Sequence, residues 1–437
     1  MTQSLSIPTI PILPPPSSYV EVSYEDQWKA AGEKAGTTVF GLEWLNDYLV
    51  GCTSSGTVLV WRIPTVAVDD EEFNDKHHPV KGTSKRQKIA SSSDTDDDMQ
   101  LSSIRQSRTP LVKLQASTGV LYSISFLNHA STVILGVCGD DGIKLYSWSD
   151  IENLIDDPTA EVSPVSQFRP HASQRVAEIN DFAMDENSFL YGASGDKFGC
   201  YKWDTETGTL LKTYSSPTGG YLHTLKVLPA STTPGGHSVL LMSGEGGILG
   251  VWDRQQDQLI ENLDIKAAMN ACTPLMSSTS PSKGFSKWNN STHLWSSHIH
   301  ASTDSSSWWH VCGGAESHAS KSGGFGGYMT SWHAPTRSLA AGCATRESLN
   351  RMASCSPLSS SSSSSSSSQL ATIANESVVS YWSPTRAERT GRFWCTAPCA
   401  YAIAVRDTDG RTAVGGVGHA VDILEYEGPK VYSVSLT

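Results

Sequence analysis

The chain has 437 residues, of which 38% are hydrophobic, and it carries a net charge of −12 with an isoelectric point near 5.5. This negative balance argues against nucleic-acid backbones as the main ligand, because proteins that bind them concentrate positive charge. We therefore expect any contact with RNA to be indirect. The sequence contains no run of 18 or more apolar residues, so it predicts no membrane-spanning helix.

The first 36 residues form a segment of their own. It begins with a proline-rich stretch, and the residues YVEVSYEDQWKAAGEKAG then predict a short helix that packs on the domain at 37–437. The N-terminus has no basic region followed by an apolar run, which argues against a signal peptide. Nine single cysteines without Cys-x-x-Cys spacing predict reduced thiols and no zinc site.

The first repeating unit, TTVFGLEWLNDYLVGCTSSGTVLVWRI, predicts three short strands, the last of which contains Trp61. A polar insertion follows at about 64–108, and we expect it to be disordered because it lacks the apolar residues that would offset the entropy of ordering. Four of its basic residues suggest a nuclear import signal: Lys81, Lys85, Arg86 and Lys88. The alternative is a solvated charge run, balanced by the aspartates at 94–98.

The next three units include the cleanest copies. The second unit carries Tyr146 where other units have tryptophan. The third, at 178–215, and the fourth, at 221–265, each show four runs of alternating hydrophobicity with turn residues between them. Each of these two ends its third run with Trp-Asp, at Trp203–Asp204 and Trp252–Asp253. A Trp-Asp pair in that place is typical of a propeller blade.

The last three units are less regular. The fifth follows a polar insertion at about 273–290 and ends its third strand at Trp332. The sixth contains a serine-rich insertion at about 355–369 and ends at Trp382, and we expect both insertions to be disordered. The seventh has Leu424 at the tryptophan position, and its final KVYSVSL predicts the outer strand of the last blade. The ring would then close by blade packing, without a shared strand.

Seven units of about 40–45 residues each, leaving the insertions aside, predict an all-β, seven-bladed WD40-type β-propeller. A bulky aromatic residue on the third strand would fill the wedge between neighbouring twisted blades. We therefore assign a structural role to the blade markers Trp61, Tyr146, Trp203, Asp204, Trp252, Asp253, Trp332 and Trp382. Each buried indole N–H needs a hydrogen-bond partner, for which Ser194 and Ser243 are candidates.

Motifs for catalysis or ligand binding are incomplete in this chain. The GASG stretch at 192–195 lacks the spacing of a nucleophile elbow. DTDG at 407–410 lacks the acidic residue that a calcium loop needs at position 12. Irregular spacing favours ordinary strand and loop content over a metal site for the histidines of the fifth unit, His293, His298, His300, His310 and His318. We expect no enzymatic activity, no cofactor, no metal and no small-molecule substrate.

Several of these stretches resemble the family of subunit 6 of the THO complex. The resemblance is strongest over 177–265, and it includes WWHVCGG and SWH in the fifth unit and the C-terminal VDILEYEGPKVYSVSLT. It implies a non-catalytic scaffold in the nucleus, where THO joins export factors in the transcription–export complex that packages mRNA. It also implies that the propeller docks on the coiled-coil subunits of THO. The long insertions depart from the family pattern.

Two other interpretations remain open. A generic WD-repeat adaptor, such as a ubiquitin-ligase substrate receptor or a chromatin-associated reader, would share the fold and differ in its partner. An Asp-Trp-Asp/Arg pattern would favour the ligase adaptor, and the basic residue that fits it is Arg254, shortly after Trp252. A propeller enzyme would need acidic or histidine residues converging on one face, and the sequence shows no such set.

Overall fold

The computed structural model of the chain describes residues 37–64, 109–129, 131–170, 178–195, 199–233, 236, 238–272, 288, 292–301, 308–317, 324–345, 347–355, 369–383, 386–426 and 428–437. The predicted N-terminal helix, the suggested import signal at 81–88 and most of the three insertions lie outside these residues.

Within the described residues, 28 strands form seven four-stranded antiparallel sheets. This arrangement confirms the seven-bladed β-propeller. Each sheet contains four strands that are consecutive in the sequence, and the first strand of each lies next to the first strands of its neighbours around the central channel. KVYSVSL provides the outer strand of the last blade, as predicted, and blade 7 closes on blade 1 through side-chain packing.

The strands of blades 1 to 3 are β1 Val39–Leu45, β2 Tyr48–Thr53, β3 Thr57–Arg62 and β4 Val112–Gln115; β5 Leu121–His129, β6 Thr132–Gly139, β7 Gly142–Ser147 and β8 Ser166–Phe168; and β9 Ile179–Met184, β10 Phe189–Ser194, β11 Cys200–Asp204 and β12 Leu210–Tyr214. The first insertion therefore interrupts blade 1 between β3 and β4.

The strands of blades 4 to 7 are β13 Leu222–Leu228, β14 Val239–Gly244, β15 Ile248–Asp253 and β16 Gln258–Asp264; β17 Thr292–Ala301, β18 Trp308–Ser317, β19 Gly324–His333 and β20 Ser338–Thr345; β21 Leu349–Cys355, β22 Gln369–Ala374, β23 Glu376–Ser383 and β24 Glu388–Trp394; and β25 Ala400–Val405, β26 Thr412–Gly416, β27 Ala420–Leu424 and β28 Lys430–Ser435. The serine-rich insertion lies between β21 and β22.

Two short helices connect these strands, and neither was predicted. Helix α1 (Trp148–Asp156) follows β7 and buries Trp148, Ile151 and Leu154 on one face at the junction of blades 1 and 2. Helix α2 (Ile265–Cys272) follows β16 and buries Ile265 and Met269. No described helix is long and apolar enough to cross a membrane.

The core is divided among the junctions between blades. Seven apolar clusters occur in the described part of the chain, one at each junction, and each includes the third-strand marker of the following blade. The markers are Trp61 at junction 7–1, Tyr146 at 1–2, Trp203 at 2–3, Trp252 at 3–4, Trp332 at 4–5, Trp382 at 5–6 and Leu424 at 6–7. Each blade thus buries one face against the blade before it and the other against the blade after it, as expected when twisted sheets bury both faces.

The indole N–H groups of the markers differ in their partners. Trp61 Nε1 donates across junction 7–1 to Ser435 O at 2.8 Å. Trp332 and Trp382 donate within their own blades, to Thr330 Oγ1 at 3.0 Å and Thr372 Oγ1 at 2.7 Å.

Ser243, a candidate partner for an indole N–H group, is not bonded to Trp252 of its own blade. Among the described residues, Trp252 Nε1 has no hydrogen-bond partner. Ser243 Oγ instead lies 2.7 Å from Ile248 O and 2.7 Å from Ser296 Oγ, so its hydroxyl is used between blades 4 and 5. Ser194 is fully buried at the end of β10.

The aspartates of the two Trp-Asp pairs begin the turns to the fourth strands. Asp204 Oδ1 accepts from the backbone N–H groups of residues 206 and 207, and Asp253 Oδ1 accepts from those of residues 255 and 256. These are Asx-type turns, in which the carboxylate replaces a backbone acceptor. The tryptophan therefore packs the junction, while the aspartate shapes the adjacent turn.

Candidate functional site

A pocket of about 300 Å³ lies at the end of the central channel where the first strand of each blade begins. Every blade contributes at least one side chain to its wall. The lining residues are Phe40, Tyr122, Ser123, Asn180, Asp181, His223, Trp295, Ser297, His298, Asn350, Arg351 and Tyr401. Because the channel is the one place where all seven blades meet, we take this pocket as the candidate functional site.

A β-bulge in each innermost strand points one side chain into the pocket. In blade 2, for example, Leu121 and Ser123 pair with consecutive residues of β6, so Tyr122 lies unpaired between them. The extra residue of a bulge redirects its side chain relative to the strand. The same irregularity recurs in all seven blades and leaves Phe40, Tyr122, Asn180, His223, Ser297, Asn350 and Tyr401 in equivalent places.

Aromatic rings form one arc of the wall, across blades 7, 1 and 2. The ring centroids of Tyr401 and Phe40 are 5.3 Å apart, and those of Phe40 and Tyr122 are 6.0 Å apart. Trp295 of blade 5 adds a fourth ring to the lining. Its indole lies over Gly314, where a Cβ atom would come within 2.0 Å of the ring, so this close approach requires glycine.

Polar groups form the floor and link blades 2, 3 and 4. Asp181 accepts hydrogen bonds from Ser123 Oγ and Thr224 Oγ1, each at 3.1 Å, and from the backbone N–H groups of Phe182 and Leu225. Four donors on one carboxylate use its acceptor capacity almost completely. Asp181 therefore serves mainly to hold the inner strands in register.

Arg351 extends this network across the channel from blade 6. Its guanidinium donates to Phe40 O at 3.2 Å and to Ser123 Oγ at 3.3 Å, in blades 1 and 2. Ser123 in turn donates to Asp181, so a continuous chain of hydrogen bonds joins Arg351 to Asp181. The floor thus holds one positive and one negative charge, both committed to bracing the ring.

The two histidines of the pocket are neutral at physiological pH. Burial lowers the pKa of His298 well below its usual value, and the nearby charge of Arg351 lowers it further. Burial also lowers the pKa of His223, against the opposing effect of Glu245. His298 Nδ1 has no hydrogen-bond partner among the described residues, although the ring lies in the pocket wall.

Carboxylates of blades 2 to 4 lie along one side of the mouth of the pocket. Asp140 Oδ1 accepts from the hydroxyl of Tyr122 at 3.1 Å, and Glu245 lies in the turn beside Trp295, to which its backbone is bridged. Burial raises the pKa of Tyr122, and the negative charges of Asp140 and Glu178 raise it further. One side of the rim of the pocket is therefore negatively charged.

The histidine-rich fifth blade contributes to packing. His300 stacks on His310 with ring centroids 6.2 Å apart, and His310 Nδ1 lies 2.9 Å from Ser331 Oγ. Burial lowers the pKa of His300 to about 3 and that of His310 to about 4, so both are neutral. Among the described residues, no group of three or more His, Cys, Asp or Glu side chains is placed to hold a metal ion.

None of the blade markers predicted from the sequence lines this pocket, since they lie at the junctions. Of the pocket residues, His298 was singled out from the sequence and assigned to ordinary strand content; the others were missed, but a signal for them exists. In each repeat the bulge residue stands two positions before a large apolar side chain, as in Phe40-Gly-Leu, Tyr122-Ser-Ile and Asn350-Arg-Met. Alignment of the seven repeats on that apolar residue would have brought the lining residues into one column.

The fold defines the class of protein. It is a seven-bladed β-propeller with WD-type blades, and its pocket lies at one end of the central channel. No family model matches the chain. The chain is similar to THO complex subunit 6 of Arabidopsis thaliana, with 28% identity over 152 residues. The match covers 32% of this chain and 39% of the length of that relative. Fold and similarity are consistent with a WD-repeat scaffold.

Proposed function

We propose that the protein is a non-catalytic scaffold subunit of the THO/transcription–export complex, acting in the nucleus in the assembly of mRNA–protein particles and in mRNA export. Its partners would be other THO subunits, including the coiled-coil subunits, and export factors, with RNA contacted indirectly. The observation that carries this proposal is the similarity to THO complex subunit 6 in a chain that forms a complete propeller.

The structure supports a scaffold role because the ring is strongly braced. A separate apolar cluster occupies each junction, and the hydrogen bonds of Asp181 and Arg351 connect inner strands across the channel. Such a ring offers a rigid frame from which loops can vary, and loops on rigid frames commonly carry binding functions. Rigidity also limits the entropy lost when a partner docks.

The Asp-Trp-Asp/Arg pattern that would favour a ubiquitin-ligase adaptor has Arg254 as its basic residue, and this residue lies inside the protein. Its side chain is 3% exposed, and its guanidinium lies 2.5 Å from Asp185 Oδ2 and 3.2 Å from Glu186 Oε2 in blade 3. An arginine that is buried between two blades is not available to a partner. The residue that favoured a ligase adaptor therefore gives that interpretation no support.

Affinity purification of the tagged protein from nuclear extract, followed by quantitative mass spectrometry, tests the proposal. We expect the coiled-coil THO subunits in amounts close to that of the bait, and their absence from a parallel purification of an unrelated tagged propeller. Recovery of a cullin adaptor without THO subunits would contradict the proposal.

The import signal is tested separately by fluorescence microscopy. Alanine at Lys81, Lys85, Arg86 and Lys88 should reduce nuclear accumulation of a fluorescent fusion. Alanine at Lys113 and Lys212, which are exposed lysines of blades 1 and 3, should leave it unchanged. Equal nuclear accumulation of the wild type and both alanine variants would contradict the import signal.

A further inference from the structure

We infer that the mouth of the central channel binds a basic side chain, lysine or arginine, presented by a partner polypeptide. The pocket goes beyond the scaffold role proposed above, which requires only the outer surfaces of the ring. Its volume of about 300 Å³ lies at the lower limit for small-molecule sites, and it suits one long side chain better than a cofactor.

The aromatic arc offers a surface for a cation. Tyr401, Phe40 and Tyr122 lie side by side over three consecutive blades, with centroid separations of 5.3 and 6.0 Å, and Trp295 adds another ring to the wall. The face of an aromatic ring carries partial negative charge and attracts an ammonium or guanidinium group. The methylene chain of lysine or arginine can pack on the same rings.

Hydrogen-bond acceptors complete the site. The side-chain amide of Asn180 donates to Leu222 O at 2.8 Å, and that of Asn350 donates to Asn375 Oδ1 and Ala400 O. Both N–H groups of the Asn350 amide and one N–H group of the Asn180 amide are thus directed at the protein, which leaves the two carbonyl oxygens as the ends suited to accept from a ligand. The N–H groups of a cationic side chain match these acceptors.

The charge around the pocket favours a cation over an anion. Asp140, Glu178 and Glu245 lie along one side of the mouth, and the two histidines of the wall are neutral. Arg351 is the one permanently charged cation among the described lining residues. It is anchored to Phe40 O and to Ser123, and through Ser123 it is linked to Asp181, so its charge is opposed within the floor. Lys226 adds a positive charge near His298 inside the channel, so the attraction for a cation comes from the carboxylates at the mouth, which an approaching ligand meets first.

Five synthetic heptapeptides test the inference on the purified full-length chain. They are identical except at the central residue, which is arginine, lysine, trimethyllysine, glutamine or glutamate, and binding is measured by fluorescence anisotropy. We expect at least one of the three cationic peptides to bind about fivefold or more tightly than the glutamine peptide, from cation–π contact alone. We expect the glutamate peptide to bind most weakly. The three cationic peptides distinguish guanidinium, ammonium and quaternary ammonium as the preferred group.

Matched variants locate the binding. Phe40→Leu removes an aromatic face while keeping a similar apolar volume, and Glu245→Gln removes one rim charge, so each should weaken binding of the cationic peptide several-fold. Glu206→Gln removes the same charge from an exposed turn at the opposite end of blade 3 and should leave binding unchanged. Circular dichroism and the melting temperature of each variant show whether it is folded.

Arg351→Met separates the two possible signs of ligand. A site for cations predicts that this variant binds the cationic peptide as tightly as the wild type or more tightly. A site for anions predicts the tightest binding for the glutamate peptide and loss of that binding in Arg351→Met. Any of three results would overturn the inference. They are the pattern predicted for an anion site, equal affinity for all five peptides, and unchanged binding in both Phe40→Leu and Glu245→Gln. These outcomes do not depend on THO subunits, so failure here is distinct from failure of the proposed function.

Discussion

Two junctions of the propeller, 3–4 and 7–1, each bury an arginine at the end of the ring away from the pocket, and they use it differently. Arg254 lies 2.5 Å from Asp185 Oδ2, so its ion pair crosses from blade 4 to blade 3. Arg406 is paired with Asp409 of its own blade, and it reaches blade 1 through the carbonyl of Ile63 at 2.6 Å and the carboxylate of Asp47 at 3.6 Å.

The difference shows how a ring can close without a shared strand. At junction 7–1, the donors Trp61 Nε1 and Arg406 Nη1 both meet backbone carbonyls across the seam, and the Arg406 guanidinium also lies 4.8 Å from the ring of Trp44. Backbone acceptors are present whatever the side chain, so these two hydrogen bonds are insensitive to substitution of the acceptor residues, and the cross-junction carboxylate of Asp47 lies 3.6 Å from Arg406 Nη1. At junction 3–4, by contrast, the buried carboxylate of Asp185 lies 2.5 Å from the arginine.

Removal of the two junction tryptophans gives the largest expected effect. Trp61 is fully buried, with its N–H bonded across the junction, whereas Trp252 is partly exposed. We expect Trp61→Ala to lower the free energy of unfolding by about 3–5 kcal/mol. Trp252→Ala should lower the free energy of unfolding by clearly less. Urea denaturation followed by tryptophan fluorescence measures both, and equal losses would remove the distinction between the junctions.

Substitution of the acidic partners should separate the two arginines. Asp185→Ala leaves the buried Arg254 guanidinium with the more exposed Glu186 as its carboxylate partner and with the carbonyl of Leu228 at 3.4 Å, and we expect the free energy of unfolding to fall by about 3 kcal/mol. Asp409→Ala should lower it less, because Arg406 keeps the Ile63 carbonyl at 2.6 Å, the Asp47 carboxylate and the Trp44 ring. The double variant Asp185→Leu/Arg254→Met should recover most of the loss, since no charge then remains buried. A double variant no more stable than Asp185→Ala would argue against this account.

A pH effect should come from Glu43 in the innermost strand of blade 1. Burial raises the pKa of Glu43 in β1 to about 7, and Asp407 of blade 7 adds to the rise, while Arg351 and Lys226 oppose it. The folded state therefore holds a proton that the unfolded chain releases near pH 4.3. Stability should fall as the pH rises from about 4.3 to 7.

Glu43→Gln removes this titration. We expect the variant to be more stable than the wild type at pH 8, by on the order of 2 kcal/mol, and nearly equal to it at pH 4. Melting temperatures at the two pH values give the comparison. A difference between the two proteins that does not change with pH would exclude Glu43 as its cause.

The smallest effect on stability is expected when the tryptophans at the same two markers are replaced by phenylalanine. Trp252→Phe removes an indole N–H that has no partner among the described residues, so the lost area and the removed polar group should nearly cancel. Trp61→Phe also removes the hydrogen bond to Ser435 O and should cost about 1–2 kcal/mol more. Thermal denaturation resolves the two, and the opposite order would show that the N–H groups do not matter.

The propeller was predictable because its signals are local. Each blade can be recognised from alternating apolar and polar residues, from turn residues and from a marker such as Trp203–Asp204, all within about 40 residues. Helices α1 and α2 were missed because nine and eight residues are too few for a helical period to stand out from the surrounding strands.

The pocket was not predictable in the same way. A bulge shifts the side-chain alternation by one residue, so Asn180 and His223 face the channel where a regular strand would turn them elsewhere. Contacts such as Arg254 with Asp185 join residues 69 positions apart, and no local pattern links them. Asp185 accepts hydrogen bonds within its own turn, and its pairing with Arg254 arises only when blades 3 and 4 are packed together.

Because each blade is continuous in the sequence, the fold determines how the ring assembles during synthesis and how it opens under mechanical load. A blade can complete its own sheet as soon as its fourth strand leaves the ribosome, so the ring can be assembled in order, with the docking of β25–β28 on β1–β3 as the last event. Blade 7 can separate from blade 1 at this seam without loss of any hydrogen bonds between paired strands. A load applied between residues 37 and 437 should therefore part this seam first and convert the closed ring into an open arc of intact blades.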